Sequence, residues 1–138
     1  MTTHQALLNA HGMKATSQRL CILKQLERLG HATLEDIYEG AKPLYPTLSL
    51  TTVYRNLGEM MGKGLVDEVQ IPRQKQRYEI VKGPHIHLSC QRCGALEDCF
   101  LDTSTFIQSV EQKTGADVQE NSIVLGVICS DCLEKERA

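Results

Sequence analysis

Histidines and cysteines at short spacings carry the chemistry of this 138-residue chain. His85-Ile86-His87 runs directly into Cys90-Gln91-Arg92-Cys93-Gly94, and Cys129-Ser130-Asp131-Cys132 lies near the C-terminus. Imidazole and thiolate are ligands for borderline divalent metals. The paired Cys-x-x-Cys motifs offer Cys90, Cys93, Cys129 and Cys132, a set that suits tetrahedral Zn²⁺ and leaves no open coordination position. That is the pattern of a structural zinc. Gly94 suits a tight turn that aims backbone N–H groups at sulfur. If residues 85–90 are extended, His85 and His87 point to one face, and Ile86, Leu88 and Cys90 to the other. One strand can then feed two metal sites back to back. The competing readings are a redox dithiol for the cysteines and a chance surface pair for the histidines. A zinc hydrolase would need an open water position and a general base. No base is evident and the first half would be left unexplained, so neither an enzyme nor a small-molecule substrate is expected.

The compartment follows from the same residues. Six cysteines occur without a basic-then-apolar leader, and no apolar run reaches the roughly 18 residues of a membrane span. These features predict a cytoplasmic protein, away from membranes, whose cysteines bind metal rather than form disulfides. Charge is divided along the chain. Residues 1–82 hold 11 Lys/Arg and 8 Asp/Glu, and residues 83–138 hold 4 and 9. A basic first half suits an anionic polymer, and an acidic second half suits cations.

The elements that must position these groups can be read in order. Residues 3–11 predict a helix with Leu7 and Leu8 inward, stopped by Gly12. Thr16 caps a second helix to about Leu29, with Leu20, Leu23, Leu26 and Leu29 as its apolar face. Thr33-Leu34-Glu35-Asp36 resembles a capping box opening a third helix that fades before Pro43. A fourth, over about 49–62, buries Val53, Leu57 and Met60 or Met61. Strands at 65–71 and 77–81 flank a polar basic loop. Helices followed by such a hairpin form the plan of a winged helix-turn-helix, whose last helix enters the major groove of double-stranded DNA. Thr51, Thr52, Tyr54 and Arg55 then face bases and phosphates, Arg55 as the guanine reader. Lys14, Arg73, Lys75 and Arg77 contact phosphate. A helical protein-docking module with a solvated basic hairpin fits the same pattern.

Lys82-Gly83-Pro84 marks a boundary. It divides a DNA-binding domain at 1–82 from a second domain at 85–138, with 83–84 as hinge. The second half reads as strand 85–90, strand 95–100, a helix over about 103–113 with Phe106, Ile107 and Val110 inward, and a long strand between Asp117 and Ile128. A charged tail or short helix closes the chain. The fold class is α+β: an N-terminal winged helix-turn-helix DNA-binding domain plus a small C-terminal α/β dimerisation domain. An exposed sheet edge and a thin core favour a homodimer. Cys21 and Cys99 read as packing residues, and His4 and His11 as solvated.

Several motifs in order resemble the ferric uptake regulator family of metal-dependent repressors. They are Thr16-Ser17-Gln18-Arg19, His31-Ala32-Thr33-Leu34-Glu35-Asp36-Ile37-Tyr38, Thr52-Val53-Tyr54-Arg55-Asn56-Leu57, the stretch from His85 to Gly94, and the closing Cys129-x-x-Cys132. The resemblance covers nearly the whole chain. It implies that the four-cysteine zinc holds the C-terminal strand against the sheet and supports the dimer. It also implies a regulatory metal on His31, Glu79, His85, His87 and Asp98. That ion ties the two halves together across the hinge and sets the spacing of two recognition helices for operator DNA, so that metal represses transcription. A mostly nitrogen–oxygen set suits Fe²⁺, with Mn²⁺ and Zn²⁺ as alternatives.

The chain departs from the family pattern in two ways. A further site used by many members has Ile86, Thr105 and, roughly, Asn121 at its ligand positions, so that site is not expected. Iron sensors of the family usually carry Glu where this chain has Asp98. Its peroxide sensors usually carry Asp there, but also Asp where this chain has Glu79. Zinc sensors bring in a cysteine that position 79 lacks. The expectation is an iron-responsive repressor. A peroxide sensor using Fe²⁺ or Mn²⁺, in which iron-borne peroxide chemistry oxidises a ligand histidine, is the alternative, followed by a zinc-uptake regulator. A winged-helix factor with only structural zinc is a further reading.

Overall fold

A computed structural model describes residues 2–137, which fall into two compact units that divide between Val81 and Lys82. The first unit contains helices α1 (Thr3–Ala10), α2 (Ser17–Leu29), α3 (Leu34–Ala41) and α4 (Leu50–Gly62), then strands β1 (Val66–Val69) and β2 (Arg77–Ile80). Each helix begins at a hydroxyl that accepts a backbone N–H: Thr2, Thr16, Thr33 and Ser49. Such caps satisfy donors that the first helical turn leaves unpaired. The box between Thr33 and Asp36 is reciprocal, with both bonds at 3.1 Å.

The helices close on a common core of Leu8, Ile22, Leu23, Leu26, Val53 and Leu57. Leu29 does not join it and is 38% exposed. The every-third-residue leucine pattern explains this. Each step of three falls about 60° short of a full turn, so three steps carry Leu29 to the far side of α2. Cys21, Ile22 and Gln25 fill the buried face instead.

The hairpin pairs antiparallel, with Val66 opposite Ile80 and Val69 opposite Arg77. Ala32 adds a bridge to β2 through mutual bonds with Tyr78 of 3.1 and 2.8 Å. This short pairing fixes the chain just before α3 and sets His31 beside Glu79.

The second unit is a three-stranded sheet in the order β4-β3-β5, with helices α5 (Ser104–Thr114) and α6 (Ser130–Arg137). Strand β3 (Ile86–Cys90) is central, antiparallel to β4 (Leu96–Cys99) and parallel to β5 (Val124–Val127). The expected long strand shrinks to β5 because the β3 ladder is short and residues 117–122 carry no apolar alternation. Phe106, expected inward, is 59% exposed, and no residue of α5 is fully buried. Ile107 and Val110, also expected inward, are half-buried, so α5 turns that side toward its own unit and leaves Phe106 outside it.

Leu26 and Leu29 of α2 separate these cases energetically. Leu26→Ala should cost about 2–5 kcal/mol. Leu29→Ala should stay within about 0.5 kcal/mol. Urea unfolding followed by helical circular dichroism checks the contrast; equal losses would contradict the assigned face.

Candidate functional site

The four cysteines converge at the end of the central strand. Cys90 ends β3, and Cys93 follows in the turn closed by Gly94 N–H donating to the Cys90 carbonyl at 3.1 Å. Gly94 has φ +76°, a left-handed conformation that suits glycine. Cys129 follows the parallel neighbour β5, and Cys132 lies in the first turn of α6. Sγ of Cys90 is 3.9 Å from that of Cys132, Sγ of Cys93 is 3.7 Å from that of Cys129, and all four lie within 4.8 Å of one another. Bonds of about 2.3 Å to a tetrahedral zinc require sulfurs about 3.8 Å apart. The donor set therefore fits Zn²⁺ in both chemistry and size.

The electrostatics point the same way. Backbone N–H groups of Cys129, Cys93 and Arg92 hold the Cys90 thiol down at about 6. Contact with the Cys129 sulfur, followed by burial and the remaining sulfurs, pushes Cys132 up to about 12. Four sulfurs so close cannot all ionise without a cation between them.

The histidine strand makes a second convergence within the same unit. His87 stands opposite Asp98 in the β3–β4 ladder, and the same register places His85 opposite Phe100. The Nε2 atoms of His85 and His87 are 3.2 Å apart, and Asp98 Oδ1 lies 3.7 and 3.5 Å from them. Two metal–nitrogen bonds of about 2.1 Å at 90–110° span about 3.0–3.4 Å. The three atoms thus fit one divalent ion. His85 Nδ1 donates to the Gly83 carbonyl at 2.8 Å, which leaves the Nε2 lone pair for a metal. The Phe100 ring lies 5.3 Å from His85 and shields it. Lys82 forms an ion pair with Asp98. The sequence reading missed both contacts: the ladder register would have exposed Phe100, but nothing in the pattern marked Lys82.

In the first unit, His31 Nε2 and Glu79 Oε2 are 2.9 Å apart. Glu79 is only 3% exposed. A carboxylate buried on a strand is tolerated when a proton donor or cation meets it. His31 and Glu79 are ladder partners by extension of the Ala32–Tyr78 bridge, so backbone pairing brings the two side chains together.

The candidate DNA contacts lie in the first unit. Thr51, Tyr54 and Arg55 are exposed on α4, and Lys14 is exposed in the α1–α2 loop. Thr52 is engaged locally: its hydroxyl is 3.0 Å from that of Ser49, whose side chain caps its N–H. Arg73 sits at the hairpin tip with φ +66°. Lys75 pairs with Glu35 at 3.6 Å, and Arg77 opens β2 half-buried.

The remaining expectations divide. Cys21 is buried as packing, and Cys99 is half-buried in β4. His4 and His11 are not solvated as expected: His4 Nε2 lies 2.6 Å from Glu27, and His11 Nδ1 donates to the Leu7 carbonyl at 2.8 Å. Leu7 and Leu8 fold α1 against the core and draw both imidazoles partly inside. Ile86 is buried in β3 and offers no ligand.

Purified protein should carry about one tightly held zinc per chain by elemental analysis, and Cys129→Ser should lose it together with the melting transition of the C-terminal unit. The pH dependence has a definite sign. Cys90 sits at about 6, below the ordinary thiol value of 9.0, so its contribution to folding is complete above 9 and is lost as pH falls through 6. Zinc release to a colorimetric chelator should rise as the pH is lowered, because protons compete with the metal for the thiolates; release independent of pH would contradict the thiolate assignment.

The model of the ferric uptake regulator family matches residues 10–126. The peroxide operon regulator of Bacillus subtilis (strain 168) is 30% identical over 131 residues, spanning 94% of this chain and 90% of that protein. The crystal structure of the Campylobacter jejuni peroxide stress regulator is 38% identical with a TM-score of 0.71, covering 96% of this chain and 100% of that one. The Francisella tularensis ferric uptake regulator with iron is 27% identical with a TM-score of 0.70, covering 88% of this chain and 96% of that one. The family match takes in most of both units, and this chain belongs to the ferric uptake regulator family.

Proposed function

We propose that this chain is a metal-responsive repressor of transcription, acting as a homodimer on double-stranded operator DNA in the cytoplasm. The observation that carries the reading is the convergence of His85, His87 and Asp98 on one face of the C-terminal sheet. In a family of regulators, three donor atoms with the spacing of a first coordination shell are a sensor. The ion's ligands are drawn from both units, with His31 and Glu79 completing the set as the family resemblance implies. Metal then favours the one arrangement of the two units that satisfies all five residues, and the population shifts toward it. Lys14, Arg73, Lys75 and Arg77 supply phosphate contacts. Thr51, Tyr54 and Arg55 read the groove, with Thr52 supporting the start of α4.

The dimer is supported by the surface of the second unit. Phe100, Phe106 and Leu125 are exposed, and α5 buries no residue within its own unit. A second copy that covered this surface would supply the core that the small sheet lacks. No helix among the described residues is long and apolar enough to cross a membrane.

Fe²⁺ is the regulatory ion in this reading. Iron acting as a peroxide-reactive centre is favoured by a separate observation: the Bacillus subtilis and Campylobacter jejuni relatives are both named as peroxide regulators. Bound iron would supply peroxide reduction at the site. The protein's part is to present His31 and His85 as ring carbons beside that chemistry. The net change is transfer of one oxygen atom from hydrogen peroxide to an imidazole, with water released and the histidine oxidised by two electrons.

Fluorescence anisotropy of a duplex selected from a random pool tests the repressor reading. Affinity should rise at least tenfold with Mn²⁺, and His87→Ala should abolish the response while the structural zinc remains bound. Equal binding with and without metal would leave only a constitutive DNA-binding factor. Mass spectrometry after Fe²⁺ and dilute peroxide separates the two iron readings. One added oxygen on His31 or His85, absent with Mn²⁺, marks a peroxide sensor. Unmodified histidines beside reversible Fe²⁺ binding mark an iron-responsive repressor.

A further inference from the structure

Arg19 is placed against the ordinary electrostatic preference of a helix. It sits in the first turn of α2, where unpaired N–H groups favour acidic side chains and disfavour cations. Its side chain is nevertheless drawn in, 18% exposed, between two other elements. Nη1 donates to the carbonyl of Lys14 at 3.0 Å, and Nη2 donates to Glu59 Oε2 at 2.7 Å. Nε is buried and makes no hydrogen bond among the described residues. A buried donor left unpaired costs free energy, so this guanidinium is poorly arranged for stability alone.

The two partners explain the placement. Lys14 belongs to the α1–α2 loop and is exposed beside a shallow groove bounded by Met13, Lys14, Arg19, Glu59 and Lys63. Glu59 lies near the C-terminal end of α4, and its own carbonyl accepts the Lys63 N–H that closes that helix. The planar fork of arginine makes both bonds at once, which a lysine's single ammonium on a flexible stem is less suited to do. Thr51 and Glu59 are about 12 Å apart along the axis of α4 at 1.5 Å per residue. Arg19 therefore joins the loop bearing Lys14 to the far end of the helix that carries Thr51, Tyr54 and Arg55.

We infer that Arg19 is a positioning residue for DNA binding: it fixes the Lys14 loop to α4, and so sets where Lys14 meets the phosphate backbone relative to the residues that read the groove. This rests on the repressor reading above. A phosphate contact is effective only when its charge arrives in register with the base contacts. A free loop would let Lys14 stay in solvent when α4 docks.

The test is a double-mutant cycle on the Mn²⁺-loaded, zinc-containing protein, binding a duplex selected by the wild type from a random pool. Lys14→Ala should lower the slope of log affinity against log salt by about one. Arg19→Ala should lower the slope and the affinity by about the same amounts, and Lys14→Ala should add little in that background. Glu59→Ala provides a second route should Arg19→Ala not fold, and should reproduce the loss in part. Arg19→Lys keeps the charge and loses the fork, so the slope should stay low. Recovery of the slope in Arg19→Lys would show Arg19 contacting phosphate directly and would overturn the inference. Fully additive losses, or a lowered melting temperature with unchanged slope, would make Arg19 merely structural and overturn it too. Wild-type protein that fails to bind any selected duplex would instead refute the repressor reading itself.

Discussion

Negative charge on sulfur is the constraint on which the C-terminal unit depends. Cys90, Cys93, Cys129 and Cys132 come from the end of β3, the turn after it, the residues after β5 and the start of α6. Brought within 4.8 Å, they repel one another as thiolates, and a divalent cation reverses the sign of that interaction. The surrounding unit has little else to hold it. Few of its residues are fully buried, and its sheet has three short strands. The parallel pairing of β3 with β5 joins strands far apart in sequence, and loop closure over such a distance is entropically costly. A metal that fastens both strand ends compensates for that cost at the place where it is incurred.

Strand pairing also does the work of ligand placement. In both units the metal-type residues are ladder neighbours: His31 with Glu79 beside the Ala32 bridge, and His87 with Asp98 between β3 and β4. A ladder decides which residues stand opposite one another, with Cα atoms about 4.5–5.5 Å apart, so their side chains meet on one face. It also sets the faces. Asp98 and Cys99 alternate, so Asp98 joins the histidines while Cys99 turns to the other side. The two imidazoles reach the same point because they are two residues apart on a pleated strand.

Much of this was legible in the sequence, and the failures have physical causes. Helix starts were clear because hydroxyl caps are local chemistry: Thr16 and Thr33 each needed only the next few residues to be recognised. Strand β3 and its alternation were clear because a period of two admits no other reading of His85-Ile86-His87. Leu29 and Phe106 were misplaced because apolar spacing was followed without the angle it implies, and because Phe106 has no partner surface within its own unit. The long last strand failed because strand length is set by the partner across the ladder, which a linear reading does not contain. Phe100 beside His85, Lys82 beside Asp98 and Arg19 between Lys14 and Glu59 are long-range or register-dependent contacts, visible only once the chain is folded.

Strand β3 carries two clusters of donor side chains at once, and this couples them mechanically. Cys90 closes the strand at one end, and His85 and His87 lie toward the other, within a few residues on the same backbone. The histidines stand at their spacing because β3 is paired on both sides, and that pairing ends at the cysteine cluster. A four-sulfur centre that fastens the ends of β3 and β5 therefore also stiffens the backbone on which the two imidazoles stand, so one strand gives both clusters a single mechanical support.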